Sequence, residues 1–161
     1  MPEDLSARTV AALTERRLTI AVAESLTGGL LVAELIKTPG ASAVVNGGVV
    51  AYRTKIKHSV LGVDAALLAE HGAVHPQVAA DMATGVRSAL AVDGVAADIG
   101  LSTTGVAGPD PQDGHPVGTV FLGLARGTAV ATRQLSLSGT RNEIRAAVVE
   151  AALAWLLEEL A

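Results

Sequence analysis

The stretch Ala23-Glu24-Ser25-Leu26-Thr27-Gly28-Gly29 sets a hydroxyl between two apolar runs of different period. Leu18 to Ala23 reads as a buried strand, and Leu30 to Ile36 reads as a helix. Ser25 therefore stands where a strand hands over to a helix. Such a junction can hold a nucleophile beside backbone N–H groups that have no partner inside the helix. The helix dipole favours negative charge there, and glycines let a ligand come close to the backbone. A developing oxyanion, a carboxylate or a phosphate can use the same place. Thr27, Gly28 and Gly29 are the candidates for that cradle. The competing role is plain helix capping by Ser25 or Thr27, and from this segment alone capping leads.

Three further groups can do chemistry. Tyr52-Arg53-Thr54-Lys55-Ile56-Lys57 holds two of the three lysines and the only tyrosine. A lysine serves as a general base when burial or a neighbouring cation brings its pKa from about 10.4 toward 7. Solvated lysines are the competing reading, and taken alone the better one. Thr103-Thr104-Gly105-Val106-Ala107-Gly108-Pro109 follows a strand, where ligands of α/β sheets bind. Its glycines have neither dinucleotide nor Walker spacing, and a tight turn explains it equally well. Arg141 and Arg145 lie one helical turn apart and can grip an anion, or simply open an exposed helix. His58, His71, His75 and His115 have no metal-ligand spacing, so no metal is expected. Ser25 also lacks the G-x-S-x-G context of a hydrolase elbow.

These groups need elements to position them. Helices are expected over Glu3 to Arg17, Leu26 to Lys37, Lys55 to Leu61, Asp64 to Glu70, Pro76 to Leu90 and Asn142 to Leu160. Strands are expected over Leu18 to Ala23, Val44 to Tyr52, Ala96 to Ser102, Thr119 to Ala125 and Ala129 to Leu137. Gly47-Gly48 suggests a bulge or a close approach, and Arg126-Gly127-Thr128 a hairpin turn. The expected fold is a single-domain α/β/α three-layer arrangement over residues 1–161. It has a mixed sheet, an early βα crossover and a later antiparallel hairpin.

Composition narrows the function classes. With 161 residues, half of them hydrophobic, the chain can bury one sizeable core. Only one Trp, one Tyr and one Phe are present, so that core is aliphatic. A net charge of −4 with scattered signs argues against nucleic acid as a partner. No apolar run of about 18 residues suggests a membrane span. The acidic start Met1-Pro2-Glu3-Asp4 is unlike a signal peptide, and the absence of cysteine fits a reducing compartment. A cytoplasmic protein is expected.

Taken in order, the motifs resemble the CinA C-terminal domain family. The similarity runs through Ala23–Gly29, Gly47–Tyr52 with Lys57, Leu61-Gly62-Val63, His71-Gly72-Ala73-Val74, Thr104–Asp110, Pro116-Val117-Gly118-Thr119-Val120 and Arg141. The resemblance implies a nicotinamide mononucleotide amidohydrolase that yields nicotinic acid mononucleotide and ammonia. It implies Ser25 as nucleophile, Lys57 as base and Tyr52 beside them, with no cofactor. It places Thr104, with Gly105 in the same turn, and Arg141 on the substrate side, and it makes a homodimer plausible. Two alternatives are a non-catalytic nucleotide- or partner-binding module of the competence/damage-inducible type and an amidase of another small amide. The chain departs from the family where Leu26 replaces a frequent cysteine and where Arg53-Thr54 replaces a frequent Ser-Asn. Lys55 is an extra lysine near the base.

Overall fold

A computed structural model describes residues 4–161. Its centre is a five-stranded sheet in the order β2-β1-β3-β4-β5. The strands are β1 Ile20–Glu24, β2 Val45–Val50, β3 Ile99–Gly105, β4 Thr119–Arg126 and β5 Ala129–Ser136. β1 pairs in parallel with both β2 and β3, whereas β3–β4 and β4–β5 are antiparallel. This is the expected mixed sheet. The β4–β5 hairpin closes with Arg126 opposite Ala129, leaving Gly127 and Thr128 as its turn. The helices are α1 Leu5–Arg16, α2 Leu30–Ile36, α3 Thr54–Leu61, α4 Ala65–His71, α5 Pro76–Ala89 and α6 Arg141–Leu160. No helix among the described residues is long and apolar enough to cross a membrane.

Alternation along β1 divides the core between two faces. Ile20 and Val22 join Leu101, Leu122, Ile144, Leu153 and Trp155 on the face covered by α1, α2 and α6. Ala21 and Ala23 join Leu61, Val78, Met82 and Val86 on the face covered by α3, α4 and α5. The second face is built from small residues so that α5 can lie close. A Cβ added at Gly100 would stand 1.8 Å from the Ala83 carbonyl oxygen, and one at Gly123 would stand 2.2 Å from that of Ala79. Ser102 uses the same proximity to donate its hydroxyl to the Ala79 carbonyl at 2.6 Å. The pair Gly47-Gly48 serves both expected purposes. The register between β1 and β2 shifts after Ile20, so Asn46 is skipped in the ladder, and a Cβ at Gly48 would meet Val32 at 2.9 Å.

Of the two expected extents of α2, the structure takes the apolar run Leu30–Ile36 and not the longer span from Leu26 to Lys37. The helix begins at Leu30, and Leu26 to Gly29 form turns instead. The physical reason is Glu24. Its buried carboxylate accepts the backbone N–H groups of Leu31 at 2.8 Å and Val32 at 3.0 Å. A carboxylate at the end of β1 thus caps α2 from across the turn, while the N-cap position, Gly29, has a positive φ of 104° and no side-chain bond. Thr27 does not cap, because its hydroxyl bonds that of Thr103 at 2.8 Å. At the other end of the chain, Thr140 and Glu143 form a reciprocal capping box that starts α6 at Arg141.

Candidate active site

Ser25 leaves the C-terminal end of β1, and its N–H donates to the Thr103 carbonyl of β3 at 3.0 Å. That bond fixes the backbone at the nucleophile position. Lys57 enters from the second turn of α3 and is fully buried. Its Nζ lies 2.8 Å from Ser25 Oγ, 2.7 Å from the Ala51 carbonyl and 3.3 Å from the Tyr52 carbonyl. The two carbonyls can only accept, so each takes an N–H of Lys57 and together they occupy two of the nitrogen's directions. The remaining direction faces Ser25. When the amine is neutral, its lone pair is therefore turned toward the serine hydroxyl.

Burial is the main cause that brings the Lys57 amine down from 10.5 to about 8, against an opposing pull from the Asp113 carboxylate. Loss of hydration disfavours the ammonium form, while a nearby negative charge favours it. Asp113 sits on the loop after β3 and accepts the Ala73 N–H at 3.1 Å. Gly72 makes this possible, since a Cβ there would lie 2.4 Å from the Asp113 carboxyl carbon. The loop is thereby seated on the segment between α4 and α5.

The dyad opens into a cavity of about 460 Å³ lined by Ser25, Leu26, Tyr52, Lys57, Thr104 and Arg141, among others. Tyr52 is 59% exposed, and its hydroxyl accepts from Arg141 Nη2 at 3.0 Å. Arg141 Nη1 donates to the Gly108 carbonyl at 2.6 Å, so this guanidinium ties the tyrosine to the turn after β3. Thr104 donates its hydroxyl to the Ala73 carbonyl at 2.8 Å. Gly105 lines the cavity too, but its missing Cβ has a packing purpose, because one would stand 2.6 Å from the Thr119 carbonyl oxygen of β4.

Thr27, Gly28 and Gly29 do not line this cavity. The Gly28 N–H is taken by the Ser25 carbonyl at 3.1 Å. Arg145 grips the same turn from behind, donating to the carbonyls of Leu26 at 2.8 Å and Thr27 at 3.3 Å. Arg141 and Arg145 thus serve different places and do not form one clamp. With those carbonyls held, the backbone N–H groups of Leu26 and Thr27 have no acceptor among the described residues. Leu26 lies against the cavity, so its N–H is the better placed of the two for an oxyanion.

Sequence reasoning missed Glu24, Asp113 and Gln112. A lone carboxylate closing an otherwise apolar strand was the available signal for Glu24. Gln112, next to Asp113 on the loop between β3 and β4, lines the cavity, and no local pattern singled out either residue, because the loop reaches the cavity only through the fold. Among the described residues no group of three or more His, Asp or Glu side chains could hold a metal ion.

The family described as the CinA C-terminal domain matches residues 2–160. The chain belongs to the CinA C-terminal domain family. A CinA-like protein of Frankia casuarinae is 52% identical over 141 residues, covering 88% of this chain and 31% of the relative. The curated relatives it matches first are longer, and this CinA-type domain spans only about a third of their length. Solved structures match it nearly end to end. A CinA superfamily protein from Klebsiella pneumoniae has 34% identity and a TM-score of 0.91, covering 98% of this chain and 96% of that one. The competence/damage inducible protein CihA of Agrobacterium tumefaciens gives 34% and 0.89 with the same coverage.

Proposed function

We propose that this CinA-type domain is a serine amidase that hydrolyses nicotinamide mononucleotide to nicotinic acid mononucleotide and ammonia. The single observation that carries the reading is the 2.8 Å contact between Ser25 Oγ and the buried Lys57 Nζ at the floor of a cavity. A buried lysine with its pKa lowered to about 8 is suited to general-base work near neutral pH.

The reaction has two halves. Neutral Lys57 takes the Ser25 proton as Oγ attacks the carboxamide carbon. The carbonyl π pair moves onto oxygen, and the Leu26 N–H stabilises that oxyanion. The intermediate collapses, the C–N bond breaks, and the leaving nitrogen takes the proton from Lys57 to depart as ammonia. Water then loses a proton to Lys57 and attacks the acyl-serine. Collapse breaks the C–Oγ bond, and Lys57 returns the proton to Ser25. The Arg141–Tyr52 pair holds the cavity wall, and no step requires a metal or an organic cofactor.

Ammonia release from nicotinamide mononucleotide, compared with the Ser25→Ala variant, tests the reading. Folded protein that releases none would sink it. Release from other small amides but not this one would keep the dyad and change the substrate. A second reading is a non-catalytic nucleotide- or partner-binding module of the competence/damage-inducible type, the type named in a longer relative's description. It predicts nucleotide or partner binding with no turnover. A cytoplasmic homodimer belongs to the amidase proposal, and light scattering on the purified chain checks the oligomeric state.

A further inference from the structure

The cavity has a charge pattern that its chemistry at Ser25 does not use. Four basic residues line it, the cations Arg53, Lys55 and Arg141 and the base Lys57, while no aspartate or glutamate does. This concentration of positive charge stands out in a chain whose net charge is −4. Two of the four are committed. Lys57 is bound to Ser25 and two carbonyls, and Arg141 spans Gly108 and Tyr52. The side chains of Arg53 and Lys55 have no hydrogen-bond or ion-pair partner among the described residues. Both are exposed and flank Thr54, the first residue of α3, on the cavity side.

From this arrangement, and resting on the amidase reading above, we infer that Arg53 and Lys55 form the substrate's anion subsite and select amides that carry a phosphomonoester. Lys57 fixes where the scissile carboxamide must sit, at the buried floor. Arg53 and Lys55 are at the exposed side of the same cavity, so they meet the other end of the ligand. A phosphate there accepts hydrogen bonds from a forked guanidinium and a point-charge ammonium at once. No carboxylate lines the cavity, and Asp113, whose charge reaches Lys57, is tied to the Ala73 N–H. Arg141, already holding Gly108 and Tyr52, belongs to the cavity wall.

The test compares two substrates that differ only in the phosphate, nicotinamide mononucleotide and nicotinamide riboside. The kcat/KM ratio between them is measured for the parent chain, Arg53→Ser, Lys55→Ala and the double variant. The expected result is that each single change lowers the preference for the mononucleotide about tenfold, with the loss mainly in KM. Lys55→Arg restores most of it. Calorimetric binding of the mononucleotide to Ser25→Ala protein, with and without Arg53→Ser or Lys55→Ala, gives a readout independent of turnover. Turnover with an unaltered substrate ratio in both single variants and the double overturns the anion subsite alone. Absence of turnover, with mononucleotide binding that still weakens about tenfold on Arg53→Ser, overturns the amidase reading and leaves the subsite standing. Binding that does not respond to Arg53→Ser or Lys55→Ala overturns the subsite in either case.

Discussion

Lys57 carries two opposed demands. It must be buried to reach Ser25, and burial of its charged form is costly. The fall from 10.5 to about 8 corresponds to about 3 kcal/mol against the ammonium. In the proposed mechanism only the neutral amine acts, so kcat/KM should rise with pH through a limb near 8 and level above it. Asp113 opposes the shift, so Asp113→Asn should move that limb to lower pH, while its side-chain oxygen can still accept from Ala73. A pH–rate profile of both proteins checks the direction, and a limb moving to higher pH would contradict it. Stability carries the same signature. Between pH about 8 and 10.5 the unfolded chain binds the lysine proton that the folded chain has released. Unfolding free energy should therefore rise with pH across that window, and Lys57→Met should flatten the rise. The same variant should abolish ammonia release, whereas Lys55→Met should keep kcat and raise KM for the mononucleotide.

At the scale of elements, the nucleophile is set by three independent ties. The Ser25 N–H is held by β3, the carbonyls of Leu26 and Thr27 by Arg145 of α6, and the start of α2 by Glu24. Glu24 matters most because it precedes Ser25 and is fully buried. Glu24→Ala leaves two backbone donors unsatisfied, at a cost of about 1–3 kcal/mol each. Glu24→Gln keeps one good acceptor and should recover part of the loss. Denaturant midpoints should rank the parent above Gln and Gln above Ala, and kcat should fall in the same order as the turn after Ser25 loosens. Equal kcat in all three proteins would show that the cap supports the helix without positioning the serine. For the same reason the helix starts at Leu30 and not at Leu26. Apolar period alone does not reveal that a carboxylate six residues upstream of Leu30 captures its first turn.

Across the whole molecule, the dyad depends on how closely α3 and α5 pack on the sheet and on each other. Gly85 of α5 lies under the end of α3, where an added Cβ would stand 1.8 Å from the Leu61 carbonyl oxygen. Gly85→Ala must push α3 outward, and α3 carries Lys57. The expected outcome is a loss of stability of about 1–3 kcal/mol together with reduced kcat, read by denaturant titration and ammonia release. A variant that loses stability yet keeps full kcat would mean that α3 holds Lys57 independently of α5. The close contacts at Gly100 and Gly123 belong to the same layer, which explains why glycine and serine occupy strand positions otherwise suited to β-branched residues.

The order of strands and helices, the mixed sheet and the hairpin were legible because apolar period and turn chemistry are local properties. The candidates Ser25, Tyr52, Lys57, Thr104 and Arg141 were legible as residue types at a strand end, a lysine cluster, a glycine-rich turn and a helix start. Their partners were not, because nothing local says which carbonyl or hydroxyl a long side chain will meet. Only the tertiary structure brought Lys57 against Ser25 across 32 positions of chain, seated Asp113 near the lysine, and sent Arg141 and Arg145 to different turns. It also replaced Thr27 by Glu24 as the cap of α2. Sequence alone determined which groups could react. Burial and distance, which depend on packing remote segments together, decided which of them meet.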